Sequence, residues 1–145
     1  SAASDVYKRQ EKGWLVSSEG EKIKKLDEAY FKYTVGQRKG LNYSAGTPLY
    51  VSAVDAKEKK VITGPKESAF RKVFMIENIN MLAEKKEKFR AHVKIRYRNF
   101  PAAARVNICK GRGVIEFDEP QFAVAPGQLA VFYAKSAVLG SGFIV

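Results

Sequence analysis

Residues 89–98 read Phe-Arg-Ala-His-Val-Lys-Ile-Arg-Tyr-Arg, an alternation of apolar and basic side chains. Successive side chains of a β-strand point to opposite faces, so this stretch predicts a strand with one apolar and one basic face. The apolar face would enter a core, and the basic face suits a phosphate backbone. Sheets also carry Lys and Arg on faces that meet only water, where they discourage edge-to-edge aggregation. For a lone strand the solvated face is the more common case.

The rest of the chain repeats short strands between turn signals, without amphipathic helices between them. Two hairpins are predicted in the first half, and about six strands in the second half suit a compact antiparallel barrel. We therefore predict an all-β fold, with a small central β domain at 13–68 and a six-stranded antiparallel β-barrel at 69–145. Residues 1–12 are left as an unassigned tail, and 65–72 are the candidate linker. The predicted strands are 14–17, 22–26, 49–54, 60–63, 73–79, 88–98, 102–109, 113–117, 130–133 and 137–144.

Composition narrows the class of partner. The chain has 145 residues, a formal net charge of +11 and 46% hydrophobic residues. Residues 1–70 carry 13 basic and 9 acidic side chains, and residues 71–145 carry 13 and 6. We find no apolar run near the roughly 20 residues of a membrane-spanning helix and no basic amphipathic helix. Nucleic acid is thus the favoured partner over a membrane. A single cysteine excludes an internal disulfide, and with no visible signal peptide it fits a cytoplasmic location.

Residues able to catalyse are few. Cys109 ends an apolar strand, which favours a structural thiol over a reactive one. His92 is the only histidine and lacks a partner at a recognisable spacing, so a solvated or phosphate-contacting role is expected. Glu116 and Asp118 precede a predicted turn at Pro120 and are expected to be solvated carboxylates. No metal site is expected, and the Gly-Gln-Arg-Lys-Gly run at 36–40 matches no nucleotide-binding loop.

Two stretches suit binding instead. Residues 30–41 interleave aromatic and cationic side chains, which can stack on bases and pair with phosphates. Tyr33 and Val35 could equally be core residues beside a polar turn, and the sequence leaves both interpretations open. At 125–128 a Pro-Gly turn fixes the backbone and leaves the amide of Gln128 able to donate and accept hydrogen bonds together.

Seven blocks together resemble the C-terminal part of the bacterial tRNA-specific 2-thiouridylases, in matching order and spacing from about Gly13 to Ile144. The resemblance implies a small central β domain followed by a C-terminal β-barrel. The blocks are Tyr-Thr-Val-Gly-Gln-Arg-Lys-Gly-Leu at 33–41, Pro-Leu-Tyr-Val at 48–51, Lys-Ile-Arg-Tyr-Arg at 94–98, Phe-Asp-Glu-Pro-Gln at 117–121, Ala-Val-Ala-Pro-Gly-Gln at 123–128, Ala-Val-Phe-Tyr at 130–133 and Leu-Gly-Ser-Gly-Phe-Ile at 139–144.

The resemblance also implies an activity. Enzymes of this family place sulfur at C2 of the wobble uridine of certain tRNAs, using ATP to adenylate the C2 oxygen and a cysteine persulfide to deliver sulfur. Their ATP loop and both catalytic cysteines lie upstream of the region matched here, and Cys109 matches neither. This chain is therefore expected to dock tRNA and to be inactive alone, whereas the full-length enzyme would need a sulfur-relay protein.

Residue roles are assigned by position. The resemblance places Arg96 and Tyr97 on the family's tRNA-contacting Arg-Tyr pair and Gln128 on its tRNA-contacting glutamine. Arg96 would neutralise a phosphate, Tyr97 would stack or hydrogen-bond at the backbone, and Gln128 would read a ribose or phosphate. Strand alternation adds two further cations, Lys94 and Arg98. A tRNA or domain contact is also expected at Gln37 and Arg38.

The chain departs from the family pattern at four positions. Asp27 and Ala29 replace a common His and Gly, Ala125 replaces the usual Thr, and Ser141 interrupts a glycine-rich ending. Two other functions stay open from sequence alone. One is a free-standing RNA-binding β-barrel resembling those of translation factors, and the other is a ribosome- or protein-binding domain with an incidentally basic surface.

Overall fold

The computed structural model describes residues 12–95 and 100–145. The chain divides into two compact units, Ser1–Phe70 and Arg71–Val145. The described residues are nearly all strands and turns, with two short 3₁₀ helices at Tyr30–Lys32 and Lys66–Ala69. The all-β prediction is confirmed.

The first unit is a four-stranded sheet. Its strands are β1 (Trp14–Val16), β2 (Lys22–Lys25), β3 (Tyr50–Asp55) and β4 (Lys60–Gly64). Strand β1 pairs antiparallel with β2 and parallel with β4, which in turn pairs antiparallel with β3, giving the order β2-β1-β4-β3. The parallel pair was not predicted, because hairpin signals describe only neighbours in sequence.

A small core holds this sheet together. Its fully buried side chains include Leu15, Val51 and Val61. The single buried polar side chain among the described residues is Thr63, whose hydroxyl donates to the carbonyl of Val16 at 3.0 Å. This bond ties β4 to β1 without leaving a polar group unpaired in the core.

The second unit is a closed barrel of six strands. They are β5 (Phe70–Met81), β6 (Lys88–Lys94), β7 (Ala102–Cys109), β8 (Arg112–Phe122), β9 (Leu129–Ala134) and β10 (Ala137–Ile144), in the order β10-β5-β8-β7-β6-β9. Five of the six pairings are antiparallel by register, and these directions force the sixth, between β5 and β8, to be antiparallel as well. The predicted six-stranded antiparallel barrel is confirmed.

Barrel closure depends on a bulge. Asn78 in β5 has a φ of 52°, and the β10 register slips between Ser141 and Phe143 opposite that segment. Such irregularities bend a strand and increase its twist, which a small barrel requires. Inside, the core is formed by buried side chains such as Ile76, Phe117 and Phe132.

Two predicted boundaries were wrong, and a third lies partly outside the described residues. Strand β6 is described over Lys88–Lys94, and residues 96–98 of the strand predicted at 88–98 fall outside the described ranges. Strand β8 continues through Pro120 to Phe122, because the fixed φ of proline suits an extended strand where no N–H is needed. Strand β5 begins at Phe70, so the end of the predicted linker lies in the strand.

Candidate nucleic-acid interface

Strand β6 has the two faces that its sequence predicts. Ala91, Val93 and Ile95 are buried, while Arg90 and His92 are exposed. Lys94 is half-buried and is engaged by another group of the protein. The apolar face therefore enters the barrel core, and the polar face lies on the outer surface.

The middle of this outer face carries an exposed ion pair beside a further cation. Arg90 donates to a carboxylate oxygen of Asp118 on β8, and Arg105 on β7 lies opposite both Arg90 and Glu116 in register. The hydrogen bond from Arg90 lowers the pKa of Asp118 below its ordinary value. Asp118 is exposed, as expected for a solvated carboxylate, but it lies within β8 and not in a turn, and the strand order brings a guanidinium across to it.

The end of β6 near Lys94 is a candidate contact surface. Lys94 pairs in register with Val131 on β9, and β9 begins at Leu129, directly after Gln128. The structure thus brings Lys94 and Gln128 to the same end of the barrel. Arg96, Tyr97 and Arg98, the other predicted contacts, lie outside the described residues. Leu129 and Phe143 pair across β9 and β10 beside Gln128 and are 44% and 46% exposed.

Gln128 closes its own turn. Its side-chain oxygen accepts from the backbone N–H of Ala125 at 3.1 Å, and its backbone N–H donates to the carbonyl of Ala125 at 3.3 Å. Gly127 supports the turn with a φ of 88°, which a residue with a side chain rarely adopts. The sequence predicted an amide free to donate and accept together, but its acceptor is used by the turn.

The same turn occurs in the first unit. There the side-chain oxygen of Gln37 accepts from the N–H of Thr34 at 3.0 Å, and the N–H of Gln37 donates to the carbonyl of Thr34 at 3.0 Å. Gly36 has a φ of 91°. Both turns are bonded to a strand in the same way. In each, the N–H of the glycine donates to the carbonyl of one strand residue, and the N–H of that same residue donates to the carbonyl of the glutamine. That residue is Val51 in the first unit and Ile144 in the second.

The two glutamines differ in their remaining donor. The side-chain nitrogen of Gln37 donates to the carbonyl of Lys39 at 2.8 Å, so both polar atoms of that amide serve the loop. The side-chain nitrogen of Gln128 has no such bond to any residue in the described ranges. The geometry therefore gives Gln37 a loop-closing role, and it leaves Gln128 a donor for a ligand. Arg38, next to Gln37, is exposed.

The aromatic and cationic stretch divides between core and surface. Tyr33, Val35 and Leu41 are buried in the first unit, which supports the core interpretation for them. Phe31 is 68% exposed. Asp27, one of the departures from the family pattern, accepts from Asn42 and Lys24 at 3.0 and 3.1 Å, and these bonds lower its pKa. The stretch at 27–42 is therefore held by buried side chains and by hydrogen bonds within the first unit.

Candidate metal-binding and thiol groups are sparse in the part of the chain that the structure describes. Across 12–95 and 100–145, no group of His, Cys, Asp and Glu side chains could hold a metal ion. Cys109 is exposed rather than packed as the predicted structural thiol. Within the same ranges, no helix has the length and apolarity needed to cross a membrane.

Comparisons with known proteins agree with the two-unit architecture. A family model described as a tRNA methyl transferase PRC-barrel domain matches residues 6–65, and one described as an aminomethyltransferase β-barrel domain matches residues 71–144. The chain is 39% identical over 143 residues, 97% of its length, to the tRNA-specific 2-thiouridylase MnmA of Nostoc sp. strain PCC 7120. The chain belongs to the family of this aminomethyltransferase β-barrel domain, and over nearly its whole length it is similar to a protein named a tRNA-specific 2-thiouridylase.

Two further members of the 2-thiouridylase family show similar agreement. The MnmA of Magnetococcus marinus is 44% identical over 116 residues, and that of Geobacter metallireducens is 41% identical over 119. The chain spans 40% of the Nostoc relative and 32% of the other two. Because similarity covers both units in order, the comparisons do not favour a free-standing barrel of translation-factor type.

Sequence reasoning missed two features of this surface. Arg105 extends the charged face onto β7, and the alternation of exposed and buried residues in Ala102–Cys109 would have shown it. The paired turns were also missed, although the spacing Thr-x-Gly-Gln at 34–37 and Ala-x-Gly-Gln at 125–128 is visible in the sequence.

Proposed function

We propose that this chain is the tRNA-docking portion of a tRNA-uridine 2-sulfurtransferase that makes 2-thiouridine at the wobble position. The observation that carries the proposal is 39% identity over 97% of the chain to a protein named a tRNA-specific 2-thiouridylase. The two family-model descriptions mention methyl transfer. Thiolation is preferred because the relatives that match both units are named for it.

Catalysis would come from a portion of the enzyme outside this chain. The full-length enzyme would use ATP to activate the uridine and a persulfide to supply sulfur, with a sulfur-relay protein as partner and the cytoplasm as location. In support, the chain spans only 40% of the Nostoc relative, which leaves room in such an enzyme for a further portion. The role we assign to this chain is to bind and position tRNA.

The proposed contact surface is the end of the barrel where Lys94 and Gln128 lie. Arg96, Tyr97 and Arg98 join it by the sequence resemblance and strand alternation. The amide nitrogen of Gln128 suits a phosphate or ribose oxygen, and Lys94, which pairs in register with Val131, is a cation at the same end of the barrel. Arg38 on the first unit is a further candidate, and the net charge of +11 favours approach of a polyanion.

Binding of fluorescein-labelled tRNA, monitored by anisotropy over a salt series, tests the docking role. Neutralising about four to six phosphates predicts that log affinity falls against log salt with a slope of roughly −3 to −5. A duplex DNA of equal charge serves as competitor and should displace tRNA poorly. A flat salt dependence, or equal displacement by DNA, contradicts specific docking of tRNA.

The enzymatic assignment needs a separate experiment. The matching region of the Nostoc relative is replaced by this chain, and 2-thiouridine in bulk tRNA is measured by mass spectrometry after expression in cells that lack the enzyme. We expect 2-thiouridine to be restored. A folded chimera that binds tRNA but forms no 2-thiouridine would contradict the assignment, while leaving tRNA binding intact.

A further inference from the structure

Trp14 lies on the first unit within a group of lysines that the proposed contact surface does not include. In register it pairs with Lys25 on β2 and with Lys60 on β4, so the three side chains share one face of the sheet. The ammonium of Lys22 lies 4.7 Å from the centre of the indole ring, and that of Lys25 lies 5.8 Å from it. The indole ring of Trp14 therefore makes cation–π contacts with two lysines.

The ring stabilises an arrangement that two ammonium groups would otherwise resist. A cation over an indole face is attracted by about 0.5 to 1 kcal/mol at an exposed site, which offsets part of the repulsion between like charges. Lys22 and Lys25 are exposed and form no ion pair with a residue of the described ranges. Their positive charge is available to a ligand.

The acidic group in the cavity beside this cluster is already neutralised. The cavity adjoins Trp14, has a volume of about 390 Å³, and its lining includes Lys12, Lys25, Lys59 and Glu58. Glu58 binds the ammonium of Lys60 at 2.7 Å, and that hydrogen bond raises the pKa of Lys60. Beyond the end of β2, Asp27 is held by Lys24 at 3.1 Å. The cluster therefore keeps an excess of positive charge.

We propose that Trp14, Lys22 and Lys25 form a second RNA-phosphate site, on the first unit. The two ammonium groups would bind phosphate oxygens, and the indole would hold them in place and contact the adjoining ribose. The site rests on the proposed function, because its ligand is the same tRNA. It assigns the first unit a direct share in docking.

Trp14 is the only tryptophan of the chain, so its fluorescence reports on this site alone. The chain is titrated with unfractionated tRNA while Trp14 emission and the anisotropy of labelled tRNA are recorded in parallel. We expect emission to change with the same midpoint as anisotropy. The double variant Lys22→Gln/Lys25→Gln should weaken binding roughly three- to thirtyfold, as expected for two exposed ion contacts, and reduce the salt slope by roughly 1.5.

The matched control is Lys85→Gln/Lys135→Gln, which removes the same charge at exposed positions of the second unit, outside the Trp14 cluster. An equal loss of affinity in the control would overturn the site, because the effect would then be one of net charge. Binding with unchanged Trp14 emission and an unaffected Lys22→Gln/Lys25→Gln variant would overturn the site while leaving the proposed function standing. Absence of tRNA binding by the parent chain would overturn both.

Discussion

Replacing Gln128 by glutamate separates the two parts of its side chain. The oxygen accepts from the N–H of Ala125 within the turn, whereas the nitrogen makes no bond to a described residue and is the donor that we propose for tRNA. A glutamate carboxylate keeps an acceptor for Ala125 but offers no donor at neutral pH. Gln128→Glu should therefore fold like the parent chain and bind tRNA poorly. Gln128→Ala should lose both properties.

The expected losses of stability and of tRNA affinity follow from the two hydrogen bonds that the Gln128 side chain would make, one to Ala125 and one to tRNA. Ala125 is only 8% exposed, so removing the acceptor of its N–H costs about 1 to 3 kcal/mol of unfolding free energy. In a unit of this size, each 1 kcal/mol corresponds to roughly 4 to 8 °C in Tm. Losing an amide hydrogen bond to a phosphate costs about 1.5 to 3 kcal/mol of binding free energy, or roughly ten- to a hundredfold in Kd.

Two measurements on three variants check this reasoning. Thermal unfolding is monitored by circular dichroism, and tRNA binding by anisotropy, for Gln128→Ala, Gln128→Glu and Gln37→Glu. The last variant adds the same charge in the matching turn of the first unit, where the glutamine nitrogen already donates to the carbonyl of Lys39. It should bind tRNA much better than Gln128→Glu does. The reasoning is refuted if Gln128→Glu binds tRNA like the parent, or if it melts as early as Gln128→Ala.

Three further predictions are simpler. Arg96→Ala should weaken tRNA binding by about 1 to 3 kcal/mol with little change in Tm, and a collapse in Tm would make Arg96 structural instead. The pKa of Asp118 is depressed, so its pairing stabilises the fold above the ordinary value of 3.8 and is lost as pH falls through the lower folded pKa. Arg90→Gln should raise that pKa toward 3.8 in an NMR titration, and no movement would show that Arg90 is not the cause. Gly13→Ala should lower Tm sharply, because its new Cβ would lie 2.0 Å from the carbonyl oxygen of Lys59; an unchanged melting curve would contradict the close packing.

The strands were predictable because each one is encoded locally. Alternation places Ala91 and Val93 inside and Arg90 outside without knowledge of any other strand. The pairing of Arg90 with Asp118 could not be predicted in this way. It joins residues 28 apart in sequence, and it needs the order β6-β7-β8 and the register of both pairs. Charge on a strand face can be predicted from sequence, but its neutralisation is a property of the sheet.

The two Gly-Gln turns also show, within a few residues, what can and cannot be predicted from sequence alone. Their bonds to Thr34 and Ala125 are set by spacing alone, and a sequence search could find both. The partner of the second amide atom depends on the structure of the next two residues. Two residues after Gln37 the chain is still a loop, and the carbonyl of Lys39 is free to accept. Two residues after Gln128 lies Ala130, which pairs with Gly142 between β9 and β10. Because that position belongs to the paired strands of the barrel, the nitrogen of Gln128 lacks the equivalent carbonyl, and this difference is why we propose the second turn, not the first, as the RNA contact.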